Sequence, residues 1–351
     1  MPETTTVVHD EQTRSAVLLR TQKRENNRAL CALLYAQMLI LSALSLLSTA
    51  STSACLSLLL ALLPGAALYA LAALCAKKHQ KPPRPLALCY ALLFFSDMAL
   101  CLMTLTELVC AYVLPHHARL LVMLAAAAGT GLMLSGRQMG GARRAAAFLT
   151  GFFLFALLIC LIIALPECSV SHAFPLLGYG AGQTLRGALQ MTGSLWLLGA
   201  LPFFTQDQPS PPLRRRRPYL LPLMTILLMA FLLFFYACLL PAPLLPGKWG
   251  FVLQLQLIME MSPSILSWSL MLISRMLLFL AGFATAGDMT GECLHMYLPG
   301  KKTPALLLTL LSVPLALLPP DKISPFLPLR FLCCTLVVII ALFLRKKDIS
   351  A

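Results

Sequence analysis

The chain has 351 residues, of which 59% are hydrophobic and 11% are charged, and its formal net charge is +14. So large an apolar fraction excludes an ordinary soluble domain and requires a surface in contact with lipid. The basic residues form short loop clusters instead of one amphipathic face, which argues against nucleic acid as a partner and favours anionic lipid headgroups.

Uncharged apolar stretches alternate with short loops, and most of the 27 basic residues lie in every second loop. A helix needs about 20 residues to cross the hydrocarbon core, and helices are the open-ended structure that lipid tolerates. The predicted spans, in chain order, are Leu30–Leu47, Ala54–Ala76, Leu86–Leu114, Leu120–Leu134, Ala145–Leu165, Leu185–Phe204, Tyr219–Leu240, Ser264–Ala286, Pro304–Leu318 and Phe326–Leu344.

The positive-inside rule converts this rhythm into an all-α polytopic membrane protein of about ten transmembrane helices with both termini in the cytoplasm. A cytoplasmic tail is expected at 1–28, a transmembrane domain at 29–345 and a short cytoplasmic C-terminus at 346–351. A cleavable signal peptide ending near Ala50 is the alternative for the first span, although its polar and apolar regions would be long for such a peptide.

Spans four and nine are the shortest, and each is the fourth of five. This coincidence predicts two five-helix repeats, 29–165 and 181–345. An odd number of helices inverts the second repeat relative to the first, which is a plan used by many secondary transporters.

The sixth span is unusually rich in glycine and polar residues between Phe174 and Pro202. One interpretation is a broken helix that lines a cavity and grips a zwitterionic ligand; the other is an ordinary helix whose glycines allow close packing. Span one is the symmetry counterpart of span six and supplies further polar groups. The predicted ligand-binding residues are Gln37, Ser42, Ser45, Met191, Thr192, Gly193 and Ser194.

Charges inside the spans are few and therefore informative. Asp97 and Arg275 each lie eleven residues into their span, ~16 Å deep, so an ion pair between spans three and eight is predicted. It would act as a structural staple or as a gating pair. Glu107, nearer the outer side of span three, is a third structural or gating charge.

Catalytic and metal-binding motifs are missing from the sequence. It contains no GxxxxGK[ST], HExxH or GxSxG, so we expect neither an enzyme nor a bound cofactor. The twelve cysteines are scattered without a CxxC, and only Cys168 is expected on the outer side. Neither a disulfide framework nor a metal site is predicted.

Four stretches resemble the spore germination permease family, the B subunit of GerA-type germinant receptors within the amino acid–polyamine–organocation transporter superfamily. They are LTELVCAYVLP with Glu107, SGRQMGGARRA at 135–145, FPLLGYGAGQTLRGAL with the following GALP, and LIMEMSPSILSWSLMLISRMLLF with Glu260 and Trp268.

The resemblance implies ten helices in two inverted repeats and a small germinant, such as an amino acid, bound in a central cavity. It also implies an A-type membrane subunit and a C-type lipoprotein as partners in the spore inner membrane. An ion-coupled secondary transporter of amino acids or amines is the alternative function, and a scaffold that binds no small ligand is a third.

Overall fold

A computed structural model of the chain describes residues 21, 23, 25–41, 51–79, 81–114, 118–135, 139–174, 180–205, 219–239, 265–298, 305–318 and 326–344. These residues are almost entirely helical, and no strand occurs among them. Ser42, Ser45 and Glu260 lie outside the described residues, as does the arginine run 214–217.

Each predicted span overlaps a helix in the described part of the chain, and span six is divided between two. The helices are α1 (25–41), α2 (Ser51–His79), α3 (Arg84–Tyr112), α4 (Arg119–Ser135), α5 (Met139–Ala164), α6 (Ala181–Leu195), α7 (Leu197–Thr205), α8 (Leu220–Leu239), α9 (Ile265–Tyr297), α10 (Ala305–Ala316) and α11 (Leu327–Phe343). Two single 3₁₀ turns, Leu165–Glu167 and Val170–Ala173, follow α5.

Four helical segments are by themselves long and apolar enough to cross a membrane: Cys55–His79, Arg84–Tyr112, Ala142–Ile163 and Leu272–Tyr297. Helices α4, α8, α10 and α11 contribute shorter apolar segments of 10–17 residues. The molecule is therefore a helical bundle compatible with a multi-pass membrane protein.

Helices α3 and α9 form the centre of the bundle. In each of them 72% of the most apolar 18-residue stretch is buried, whereas the corresponding value is 24% for α5. One apolar face of α5 is left uncovered by other helices, and it carries exposed side chains such as Phe148, Phe155 and Ile162. Asp97 on α3 and both Arg275 and Asp288 on α9 are thus enclosed by other helices.

Small residues allow the central helices to approach closely. Gly282 of α9 lies against Cys101 of α3, where an added Cβ would be 3.1 Å from Cys101 Sγ. Gly287, further along α9, lies against Met98, with the corresponding Cβ 3.3 Å from Met98 Sδ. Residue numbers fall along α3 as they rise along α9, so the two helices are antiparallel in a defined register.

Several helices extend beyond their predicted bounds, and α9 and α1 are two examples. Helix α9 continues eleven residues past Ala286, because Asp288 and Glu292 find an arginine partner on α5 instead of ending the helix. Helix α1 is already helical at residue 25, and Asn26 is buried, so the packed domain begins before the predicted boundary at 28.

Candidate ligand site in the centre of the bundle

One face of α3 carries aromatic and acidic side chains into the bundle. Tyr90, Phe94, Asp97 and Cys101 recur every three or four residues, so their side chains lie on the same side of the helix. All four side chains are fully buried. This spacing brings a carboxylate to the centre of the bundle beside a group of aromatic rings.

Asp97 forms an ion pair with Arg330 of α11, in which Arg330 Nη2 donates to Asp97 Oδ1. Both side chains are buried, with 0% of the Asp97 side chain and 9% of the Arg330 side chain exposed. A pair at this depth offsets much of the cost of placing either charge in a low-dielectric interior.

The predicted partner of Asp97 was therefore wrong, and the reason is register. Asp97 lies next to Met98, which is level with Gly287 of α9. Arg275 precedes Gly287 by twelve residues, or ~18 Å along the helix. The sequence estimate counted depth from the start of span eight, although the helix continues to Tyr297 and is displaced accordingly. Arg275 is itself buried, at another level of the bundle.

The division of span six lies beside this ion pair. Helix α6 ends at Leu195 and α7 begins at Leu197, with Trp196 in a turn between them. The backbone N–H of Gly199 donates to Trp196 O at 2.9 Å, an i to i+3 bond that tightens the helix. Trp196 keeps helical backbone angles, φ −56° and ψ −28°, so the span tightens at this point and remains close to helical geometry.

Trp196 forms the aromatic wall of the site. The guanidinium carbon of Arg330 lies 5.8 Å from the Trp196 ring centroid, a distance at which cation–π attraction operates. The ring packs edge-on against Phe94 at a centroid distance of 4.9 Å. Cys334, one turn beyond Arg330 on α11, donates to Trp196 O at 3.8 Å.

Gln37 of α1 contacts the same face of α3. Its Nε2 donates to Asp97 O at 3.4 Å and lies 3.5 Å from Cys101 Sγ. The side chain is fully buried. The structure therefore brings the predicted residue Gln37 together with Asp97, Arg330 and Trp196, and these four residues are called the central cluster below.

The central cluster retains hydrogen-bonding capacity that the described part of the chain does not use. Within the central cluster, the buried atoms without a hydrogen-bond partner among the described residues are Gln37 Oε1, Asp97 Oδ2, Trp196 Nε1, Arg330 Nε and Arg330 Nη1. Buried polar groups in native proteins are almost always hydrogen-bonded, and each one left unpaired costs about 1–3 kcal/mol. The cluster thus keeps two acceptors and three donors, which are the groups that a small polar guest carrying both charges would use.

The predicted span-six residues lie in intact helix. Thr192 Oγ1 donates to Leu189 O at 2.6 Å, and Ser194 Oγ donates to Met191 O at 2.9 Å. All four predicted residues from Met191 to Ser194 are buried. The break in the span comes after them, at Trp196, which the sequence interpretation did not single out.

Gly193 is used for close helix packing. An added Cβ would lie 2.7 Å from the Leu327 carbonyl oxygen at the start of α11. Gly199 similarly packs against Cys334 and Leu68, at 3.0 and 3.2 Å from the Cβ position. These contacts place α11 against span six and thereby carry Arg330 to Asp97.

Glu107 is engaged at a separate position. It forms an ion pair of 2.8 Å with Arg119, the first residue of α4, and both side chains are partly exposed. This contact ties the end of α3 to the start of the following helix.

A second charged network joins the starts of α1 and α5 to the ends of α7 and α9. Arg143 of α5 donates from Nε to Asp288 Oδ2 at 2.5 Å, from Nη1 to Asn26 Oδ1 at 2.7 Å, and from Nη2 to Glu292. Asn26 Nδ2 in turn donates to Phe204 O at 3.4 Å. We call Asn26, Arg143, Asp288 and Glu292 the end network; it connects α1, α5, α7 and α9.

Comparisons with known proteins give no family assignment: no family model matches the chain, and no curated protein does.

Sequence reasoning missed Arg330 and Trp196. The signal for Arg330 was present, because it is an arginine five residues inside an otherwise uncharged apolar span. Its place near the start of the span suggested an exposed end. In the structure, however, α11 begins at Leu327 against the middle of the bundle, which places Arg330 at the level of Asp97.

Proposed function

We propose that the chain is an integral-membrane, permease-like subunit of a spore germinant receptor, which binds a small amino-acid germinant and signals to partner subunits. The observation that carries this proposal is the buried Asp97–Arg330 pair with spare donors and acceptors beside Trp196, where span six divides. The resemblance in sequence supplies the partners, an A-type membrane subunit and a C-type lipoprotein in the spore inner membrane.

The chemistry of the central cluster favours a zwitterion. Arg330 keeps N–H groups on Nε and Nη1 that can bind a carboxylate, since guanidinium groups recognise carboxylates well. Asp97 Oδ2 and Gln37 Oε1 are acceptors for an ammonium group. An α-amino acid carries both charges on one carbon and would satisfy both sets.

The pattern of helix contacts supports two inverted repeats. If the two repeats are equivalent, each span corresponds to the span five positions later in the chain. The α3–α9, α4–α10 and α2–α8 contacts each join two such corresponding spans. The α5–α9 contact corresponds in the same way to the α3–α11 contact. The α2–α6 contact corresponds to a contact between α1 and α8, where the Cys31 thiol is hydrogen-bonded to Thr225. The α6–α11 contact maps onto α1–α5, where the Tyr35 and Phe153 rings are 5.3 Å apart.

Contacts between helix ends support the predicted orientation. Lys78 at the end of α2 donates to Leu342 O of α11 at 2.5 Å, and the His79 ring lies 3.0 Å from Ala341 O. The end network likewise joins the start of α5 to the end of α9. The positive-inside layout assigns all these ends to the cytoplasmic face.

A binding experiment on the purified chain tests the ligand proposal. L-alanine, alaninamide and propionate are compared as stabilisers in thermal melting, because the two analogues lack the carboxylate and the ammonium group, respectively. We expect stabilisation by the amino acid alone, since a ligand that binds the folded state raises its stability. Arg330→Gln should abolish the effect, whereas exposed Arg186→Gln on α6 should keep it.

Equal stabilisation by all three compounds, or by none across a panel of amino acids and their matched analogues, would contradict the proposal. Flux of the bound amino acid in proteoliposomes then separates the two functions, since a sensing subunit binds without gradient-driven accumulation. Accumulation driven by a proton or sodium gradient would establish the transporter alternative. Co-purification with an A-type subunit and a lipoprotein tests the assembly.

A further inference from the structure

Two cysteines from distant parts of the sequence meet at one end of the bundle. Cys168 follows the first 3₁₀ turn after α5, and Cys238 lies near the end of α8. Cys238 is 1% exposed and packs against half-buried Cys168. The two thiols are within hydrogen-bonding distance of each other.

The backbone holds the two residues together independently of their side chains. Ser169 N donates to Cys238 O at 3.0 Å, and the second 3₁₀ turn, Val170–Ala173, packs on α8. A disulfide requires Cα atoms about 4.4–6.8 Å apart and Cβ atoms that face each other. The hydrogen bond from Ser169 to Cys238 and the contact between the two side chains hold Cys168 and Cys238 beside each other, which is the arrangement that such a bridge needs.

The predicted layout places this pair on the side of the membrane that permits disulfides. Helices α5 and α8 each start near a basic cluster, Arg143 with Arg144 and the run 214–217, so both helices run outward. Their far ends, which carry the pair, would face the extracytoplasmic space, where disulfides form and persist. Cytoplasmic thiols, by contrast, are kept reduced.

We propose that Cys168 and Cys238 form a disulfide that joins the end of α5 to the end of α8 on the outer face. One thiol, as its thiolate, attacks the disulfide of an extracytoplasmic thiol–disulfide oxidoreductase, and the second thiol then displaces the resulting mixed disulfide. The two cysteines lose two electrons and two protons, and the oxidoreductase disulfide is reduced to two thiols.

The bridge has a structural consequence that does not depend on ligand binding. It links the last helix of the first predicted repeat to the second helix of the second, across a segment that contains α6, α7 and the arginine run. Covalent closure of this segment restricts the unfolded chain, which stabilises the folded one. We expect the reduced protein to melt at a lower temperature than the oxidised protein.

Differential labelling of the full chain tests the proposal. Membranes are dissolved in SDS with N-ethylmaleimide, which blocks every free thiol; the protein is then reduced and labelled with deuterated N-ethylmaleimide. Mass spectrometry should find the deuterated label on Cys168 and Cys238 and the light label on the other cysteines. Digestion without reduction should release one peptide pair joined through these two residues.

Matched variants make the outcome specific. In Cys168→Ser, Cys238 should gain the light label, and Cys238→Ser should have the reciprocal effect on Cys168. Cys333→Ser on α11, a cysteine exposed on the bundle surface, should leave the bridge intact. In protoplasts that carry the chain in their plasma membrane, reduction by a membrane-impermeant phosphine added outside should release the bridge. Light label on both residues of the unmodified chain, or a bridge inaccessible from outside, would overturn the proposal.

Discussion

Asp97 and Arg330 bring opposite charges into the middle of the bundle, and each charge lowers the free-energy cost of burying the other. Isolated charges at the centre of a membrane helix cost ~2.5–3.5 kcal/mol on insertion scales. Pairing reduces this cost, but a single-site change would leave the remaining charge buried without a partner. The pair is therefore expected to be strongly coupled.

Neutralising one member should be more harmful than neutralising both. We expect Asp97→Asn or Arg330→Gln alone to destabilise the bundle by about 3 kcal/mol or more, because an uncompensated charge remains buried. The Asp97→Asn/Arg330→Gln double variant should recover most of this loss. Melting of purified protein in detergent measures the cycle.

Exposed Arg186→Gln serves as the control for loss of an arginine and should melt near the unmodified chain. Additive effects of the two central substitutions would show that the side chains are not coupled. That result would remove the ion pair from the account.

The sequence identified Asp97 as a deep carboxylate that needs an arginine, but not which arginine. Helix–helix register decides the partner, and register depends on close contacts such as Gly282 with Cys101, which leave no signature in one sequence. Gln37 could be chosen because it is a polar residue in an apolar span. Trp196 could not, because a tryptophan in a membrane helix is usual.

At the scale of the helices, glycines determine how closely span six approaches its neighbours. Gly193 contacts the backbone of Leu327, and backbone cannot move aside as a flexible side chain can. Helix α11 therefore depends on a missing side chain in α6 for its position. The position of Arg330, four residues into α11, depends on the same contact.

Two glycines of α6 provide a matched pair of substitutions. Gly193→Ala should cost about 1–3 kcal/mol, because its Cβ would lie 2.7 Å from Leu327 O and force α11 away. Gly182→Ala, in the same helix with nothing within 4 Å of the added Cβ, should be neutral or slightly stabilising. Detergent melting compares the two variants.

Ligand stabilisation in the same variants separates packing from function. We expect Gly193→Ala to weaken stabilisation by the amino acid, since displacement of α11 moves Arg330. A Gly193→Ala protein with the melting temperature of Gly182→Ala would contradict the packing role.

Element boundaries were predictable where charge ended the apolar run and unpredictable where a charge was paired. Lys77 and Lys78 mark the end of α2 well. Asp288 and Glu292 lie beyond the predicted end of span eight, yet Arg143 pairs with both within an unbroken helix. A partner that is distant in the sequence thus allows the helix to continue through charged residues.

At the scale of the whole molecule, the end network connects helices from both predicted repeats. Arg143 donates hydrogen bonds to two carboxylates of α9 and to the Asn26 amide oxygen of α1. Its neighbour Arg144 has a side chain that is 72% exposed and pairs only with Glu25 among the described contacts. Adjacent arginines therefore have very different surroundings.

This contrast gives a sensitive comparison. Arg143→Gln should destabilise the bundle by about 1–3 kcal/mol, because Asp288 remains buried without its cation. Arg144→Gln should change stability by less than ~0.5 kcal/mol, since an exposed ion pair contributes little. Chemical or thermal unfolding in one detergent measures both variants; equal effects would show that the end network is not structural.

The helices of the described residues were predictable from apolar length and the spacing of basic loops, because these quantities govern insertion into lipid. The arrangement of the spans around α3 and α9 did not follow, since most faces of a membrane helix are apolar whether they meet lipid or protein. Asp97 on α3 and Arg330 on α11 are far apart in the sequence, and the packing of their helices brings them together.

The central claim is that a zwitterionic amino acid binds beside Trp196, at the hydrogen-bonding atoms that Asp97 and Arg330 do not use for their own ion pair. The chain has three tryptophans, so Trp249→Phe and Trp268→Phe leave Trp196 as the only indole emitter. Titration with an amino acid that stabilises the protein should change Trp196 emission saturably, and Arg330→Gln should eliminate the change. An emission spectrum unaltered at saturating ligand, or altered equally in Arg330→Gln, would contradict the account.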